Sequence, residues 1–321
     1  MLAAIVPPVG SQVQRGSAQR FCDDARRART YAQRMATSSD SGYFGPQSVS
    51  WQVHREVTVL FGGARALLMQ AAHPLVVAGA NQTAMYERNP WKRLQRTLIL
   101  TYTMTFGTKK EAHAAADRIN EVHTRINGID PITGKPYDAL DPELLLYVHA
   151  CLVDSAILFE QLTVGRLDDA GRQRFHEEQK LAAELCLVPR TDIPSSWQGL
   201  RSWLADFDDR SELQVTEGAR RVLDLFFDPP AEADWRPVLR GVSRLAYGTL
   251  PAHIREMYGV PFGRLKQASM RAAFPLIRAT RPLLPPKYRF IAPYTEFFMR
   301  QQGLDPGVDL AEARKRVGIR L

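Results

Sequence analysis

The stretch Asn89–Gly107, N-PWKRLQRTLILTYTMTF-G, has the marks of a helix at both of its ends. Asn89 is a favourable N-cap, Pro90 stands at the first helical position where its missing N–H costs nothing, and Gly107 is a natural stop. Between them lie about four to five turns. Arg93, Arg96 and Thr97 stand at i, i+3 and i+4 and therefore share a face. From Leu98 to Met104 there is no charge, which predicts a buried second half. A helix that enters the core while presenting two guanidiniums and a hydroxyl admits two readings. The face holds a ligand, or it is a surface-to-core transition whose arginines are solvated or paired with acids.

Outward from this helix the chain continues to read as helices. Upstream, Gln47–Ala72 places Val53, Val57, Leu60, Phe61, Ala64, Leu67 and Leu68 at helical spacing, interrupted by Gly62-Gly63, where a backbone or a ligand can come close. His73-Pro74 bends the chain. Downstream, Thr108 with Glu111 forms a capping box for a helix running to Ile126, and the turn-rich residues 129–141 form a loop. Asp141-Pro142 opens a strong apolar helix. Further helices are predicted over 168–187, 195–207, 217–227, 237–258 and 264–280. No long alternating run of β-branched residues and no internal repeat occurs, so the class is all-α.

A chain of 321 residues that is 45% hydrophobic can bury a large core and is not a disordered chain. Its three cysteines, Cys22, Cys151 and Cys186, are far apart and form no Cys-x-x-Cys; Cys151, in an apolar run, reads as a buried small side chain. The first residues lack the order of a secretion signal, and no apolar run is a convincing membrane span. Together these point to a reducing, cytoplasmic setting.

Most enzyme constellations are missing. There is no P-loop, no Gly-x-Gly-x-x-Gly, no Gly-x-Ser-x-Gly and no His-Glu-x-x-His, and none of the seven histidines has Glu three residues before it, as a helical di-iron site requires. What remains is His73, His123 and His149 on apolar faces near the arginine-bearing helix. A lone histidine on such a face is usually a core residue. Three of them in an all-α core, with polar groups on a neighbouring helix, fit the way haem is commonly held, one imidazole taking the iron.

Four blocks then carry a family resemblance: Arg55–Ala80 (REVTVLFGGARALLMQAAHPLVVAGA), Arg93–Thr108 (RLQRT through FGT), Glu121–Gly128 (EVHTRING) and Leu140–Ser155 (LDPELLLYVHACLVDS). In this order they resemble the oxygenases that include latex-clearing rubber oxygenases and MpaB-type enzymes, over roughly residues 49–260. The resemblance implies a globin-like helical core carrying b-type haem, with O2 used to cleave a double bond in polyisoprene or to cut a prenyl side chain. The family's distal motif falls on Arg93, Arg96 and Thr97, the catalytic candidates, and either Arg93 or Arg96 can equally pair a haem propionate. The proximal iron ligand, on the following helix, is implied to be His123, with His149 as the second choice. The glutamate that serves the rubber enzymes as a base has no assigned position here. The expected substrate is an apolar, isoprenoid-like small molecule taken with O2. The alternative is a non-catalytic haem- or lipid-binding helical protein.

The charge of +8 is uneven: from Arg236 onward there are about 16 Lys+Arg against about 5 Asp+Glu. The segment Arg264–Arg289 mixes these cations with apolar residues, as an amphipathic helix resting on an anionic membrane does. A solvated basic face is the plain alternative, and no nucleic-acid motif occurs. The expected organisation is a loosely ordered leader over 1–45, a helical oxygenase-like catalytic domain over 46–260 and a basic extension over 261–321 packed on it.

Overall fold

The computed structural model describes residues 42–82, 90–228, 236–291, 294 and 296. Cys22, Asn89 and nearly all of the expected leader lie outside them.

The described chain is mostly helical: α1 (Val49–His54), α2 (Val57–Ala71), α3 (Pro74–Gln82), α4 (Pro90–Phe106), α5 (Lys109–His123), α6 (Pro142–Thr163), α7 (Asp169–Leu185), α8 (Trp197–Arg210), α9 (Glu217–Phe227), α10 (Arg236–Gly248), α11 (Ala252–Tyr258), α12 (Arg264–Thr280) and α13 (Pro286–Arg289). The expected loop after α5 contains a small antiparallel hairpin, β1 (Asn127–Ile129) with β2 (Pro136–Asp138). Asp130 closes its turn by accepting hydrogen bonds from the Thr133 amide (2.9 Å) and hydroxyl (2.6 Å). Gly134 takes the left-handed conformation (φ +71°) that the reversal requires.

The packing is organised on α2 and α6. Helix α6 buries Tyr147, Ala150, Cys151, Val153, Ile157 and Phe159. Each large side chain of this kind contributes about 1.5–3 kcal/mol relative to exposure. Close approach of α2 to α6 depends on Gly62, where a Cβ would lie 2.7 Å from the Ser155 carbonyl oxygen. Of the glycine pair, Gly62 therefore admits another backbone, while Gly63 faces open space. At the same interface Arg65 is fully engaged. It pairs with Asp154 (2.7 Å) and donates to the Ser155 hydroxyl (2.7 Å) and the Thr249 carbonyl (3.0 Å).

Helix α6 is also the one described helix long and apolar enough by itself to cross a membrane, but it is largely buried inside the protein. The other apolar pair, α2 and α3, bends by 103° at His73-Pro74.

The continuous helix expected over 47–72 is broken at Arg55-Glu56. Glu56 adopts an extended backbone (φ −78°, ψ 123°) and does not cap α2 with its side chain. Its carboxylate is instead directed into the protein, where it meets Arg281 (2.7 Å) and Arg289 (3.1 Å). The Ile291 amide donates to the Arg55 carbonyl alongside (3.0 Å). A similar break at Pro251 separates α10 from α11 within the helix expected over 237–258.

Candidate active site

Helices α4 and α5 form an antiparallel hairpin. Its closed end is built by Gly107 and Thr108. A Cβ on Gly107 would lie 2.6 Å from the Thr103 carbonyl and 3.1 Å from the Glu111 carboxylate, so the reversal needs a glycine. Thr108 and Glu111 form the expected capping box: the Thr108 hydroxyl accepts from the Glu111 amide (3.2 Å) and the Glu111 carboxylate accepts from the Thr108 amide (2.9 Å).

From that closed end Met104 packs with Ala115 and Ala116, and Leu100 and Ile119 join them further out. Continuing the same two stripes at helical spacing brings Arg93 and Thr97 on α4 and His123 on α5 to the open end. Arg93 and His123 stand about equally far along their helices from the turn. The positive charge of Arg93 is felt at the His123 ring, whose pKa is lowered first by burial and then by that charge. Arg93 and His123 are both half-buried, and the Nδ1 atom of His123 is buried without a hydrogen-bond partner.

The burial gradient of α4 follows its sequence. Arg96 and Thr97 are exposed, Leu98 to Thr101 are half-buried, and Tyr102, Met104, Thr105 and Phe106 are buried. The Thr97 hydroxyl donates to the Arg93 carbonyl (3.1 Å), and Thr101, Thr103 and Thr105 bond back along the helix in the same way. Arg96 points further out than Arg93, so the exposure of the three motif residues is unequal.

His149 lies elsewhere. It is buried on α6, its Nε2 has no hydrogen-bond partner, and its pKa is pushed down to about 3 by burial and then by His176. His176 in turn holds the Pro194 carbonyl (2.8 Å). His73 ends the α2 segment with its ring against Tyr147 and Phe207, at centroid distances of 5.7 and 5.6 Å. At the bend the ring packs on these two aromatics, and its Nδ1 is buried without a hydrogen-bond partner. The structure thus brings Arg93 near His123, leaves Thr97 exposed one turn from Arg93 with its hydroxyl on the Arg93 carbonyl, and buries His73 and His149 in the core.

Among the described residues no three His, Cys, Asp or Glu side chains converge as a metal site. A single axial histidine needs no such cluster, because the macrocycle supplies the other ligands. Along the outer face of α5 runs an open cleft of about 790 Å³ lined by Asp117, Arg118, Glu121, Val122, Arg125 and Gln82 among others. His123 does not line it. This cleft was not singled out in the sequence, since surface charges at helical spacing are also the pattern of a solvated face.

The buried histidines make a pH prediction. An imidazole free in the unfolded chain titrates near 6.5, but burial lowers His54 and His73 to about 4 and His149 to about 3. Below pH 6.5 the unfolded chain takes up protons that the fold refuses. Stability is therefore full above that pH and falls as the pH drops toward 4, by up to roughly 3 kcal/mol per histidine. Thermal melts across this window should show a steep fall in Tm, and His73→Phe should flatten it. A Tm that stays level in the wild type would show that these rings are protonated in the fold.

Comparison with known proteins places this helical chain among oxygenase catalytic domains. It belongs to the family described as ER-bound oxygenase mpaB/B'/rubber oxygenase, catalytic domain, whose model matches residues 51–279. The match runs from α1 through nearly all of α12. Similar relatives include an uncharacterised protein of Mycobacterium tuberculosis and one of Mycobacterium bovis. Each is 27% identical over 206 residues, covering 62% of this chain and 71% of the relative. No solved structure matches the chain at a significant level. The family makes the chain an oxygenase, an oxidoreductase that uses O2 on a small molecule.

Proposed function

We propose that this protein is a haem b-dependent oxygenase that acts on an apolar, isoprenoid-like small molecule by oxidative cleavage or oxygenation. The observation that carries the reading is the opposition of Arg93 and His123 at the open end of the α4–α5 hairpin, in a chain of the oxygenase family. In this reading residues 46–260 are the catalytic domain, and the described part of the extension over 261–321 packs on it through Phe274.

The donor set fits a haem. His123 carries a buried, unpaired ring nitrogen, and its lowered pKa keeps the imidazole neutral near pH 7, the form that binds iron. His123 would hold the iron, and Arg93 would either pair a propionate or face the reacting side. When bound, the haem supplies activation of O2 at its iron. Arg93 supplies a fixed positive charge and N–H donors that stabilise negative charge developing nearby. Thr97 has a single hydroxyl proton, now given to the Arg93 carbonyl. To donate to a ligand it must release that carbonyl; while it keeps it, the hydroxyl can only accept.

Arg93→Ala and Thr97→Ala are expected to retain haem, shift the absorption spectrum of the ferric protein, and slow turnover by about tenfold or more. The checks are a visible spectrum of the haem-reconstituted protein and O2 consumption with a polyprenyl substrate. Wild-type spectra and rates in both variants would show that this face of α4 points away from the cofactor. Absence of a Soret band in the reconstituted wild type would exclude haem. A Soret band without O2 consumption would favour the binding protein over the enzyme.

A further inference from the structure

The face of α12 that turns away from the protein is apolar. Leu265 is 88% exposed, Leu276 64% and Leu283, just past the helix, 81%. With Ala268, Ala272 and Ala279 they form a stripe at helical spacing, all of it exposed, about 27 Å long at 1.5 Å per residue. The opposite face is anchored: Phe274 is buried against Phe159, with ring centroids 6.0 Å apart.

The cations of this segment divide into two groups. Arg281 and Arg289 pair with buried Glu56, and Arg278 donates to the Gln161 carbonyl, so these charges are engaged inward. Arg264, Lys266 and Arg271 are exposed beside the stripe, with the Lys266 ammonium also donating to the Pro261 carbonyl at the start of the helix (2.7 Å). No Asp or Glu occurs from Met257 to Thr295. The outer face expected to be basic is therefore a leucine and alanine crest with a basic flank.

We propose that this crest is the surface by which the protein rests on an anionic lipid bilayer, with the leucines entering the interface and Arg264, Lys266 and Arg271 meeting the headgroups. Charge decides between the occupants. A second copy docked symmetrically would bring like-charged flanks together. The N-terminal 41 residues and residues 297–321 each carry more Lys+Arg than Asp+Glu and are poor complements as well. An anionic bilayer complements both the apolar crest and the positive flank. The proposal stands apart from the cofactor reading and does not depend on it.

The test is flotation of the full chain with vesicles of phosphatidylcholine alone and of phosphatidylcholine mixed with phosphatidylglycerol, at low and high salt. Binding is expected on the anionic vesicles, weakened by salt but not abolished, because the leucine contribution is not screened. Leu265→Ser with Leu276→Ser should lower partitioning about tenfold or more. Arg264→Gln and Arg271→Gln should each lower binding to the anionic vesicles about fivefold. These side chains are exposed, and circular dichroism should show every variant folded. Equal binding to both vesicles, no binding to either, or leucine variants that bind like the wild type would overturn the proposal. A concentration-dependent dimer in sedimentation velocity that the leucine variants abolish would also overturn it and assign the crest to a second copy.

Discussion

His123→Ala is expected to give a folded protein that no longer retains haem, whereas His149→Ala is expected to retain it. His123 is the last residue of α5, half-buried, so removing its ring leaves little cavity. His149 is buried in the core, and its removal should lower stability by about 2 kcal/mol or more. The two effects separate cleanly in one experiment. Haem titration monitored at the Soret band reports the ligand, and thermal melts report the fold. If His149→Ala loses the band while His123→Ala keeps it, the iron ligand belongs to α6, and the nearness of Arg93 to His123 is merely structural. If neither loses it, another group holds the iron.

Glu56→Ala is expected to destabilise the fold by about 3–5 kcal/mol. Glu56 and Arg281 are 1% and 5% exposed at their side chains, and Arg289 joins them at 17%. Burial pushes the Arg281 guanidinium down from its ordinary range, and Glu56 opposes that shift. Without the carboxylate, a buried cation is left with nothing to offset its lost hydration. At roughly 2–4 °C per kcal/mol for a domain of about 150–250 residues, Tm should fall by about 10 °C. Arg281→Met in the same background should recover part of the loss, because the more deeply buried of the two uncompensated cations is then gone while Arg289 stays. A Tm within 2 °C of the wild type would show that the ion triad contributes little.

The expected and observed folds agree most closely where a helix carries its own start and stop. Thr108 with Glu111 and Asp141 before Pro142 both cap as the letters indicate. Each of these ends is satisfied by hydrogen bonds within a few residues, so no distant partner is needed to predict it. The breaks at Glu56 and Pro251 divide segments whose apolar spacing is continuous. At Glu56 the cause is a carboxylate recruited by arginines more than two hundred residues away. Nothing local announces that pairing.

The candidate site divides along the same line. Arg93, Thr97 and His123 can be named from residue type and helical spacing, and their family resemblance assigns them roles. Their opposition across the α4–α5 hairpin follows from local signals too, since a tight Gly107 turn between two helices places residues equally far from it side by side. What spacing could not separate was His123 from His149, because both sit on apolar stripes. Tertiary packing gives the two rings different surroundings, His123 at the end of α5 near Arg93 and His149 enclosed by α6 beside His176, and the choice of His123 as the iron ligand remains part of the proposal. The direction of α12 was likewise beyond the letters. Its helix is legible over Arg264–Thr280, but both of its faces contain apolar side chains, and only contact with Phe159 decides that Phe274 turns inward and Leu265 outward. The helical class, the caps and the family are thus properties of short stretches. Which of two apolar faces is buried, and which cations are neutralised, depends on side chains brought together from distant parts of the chain.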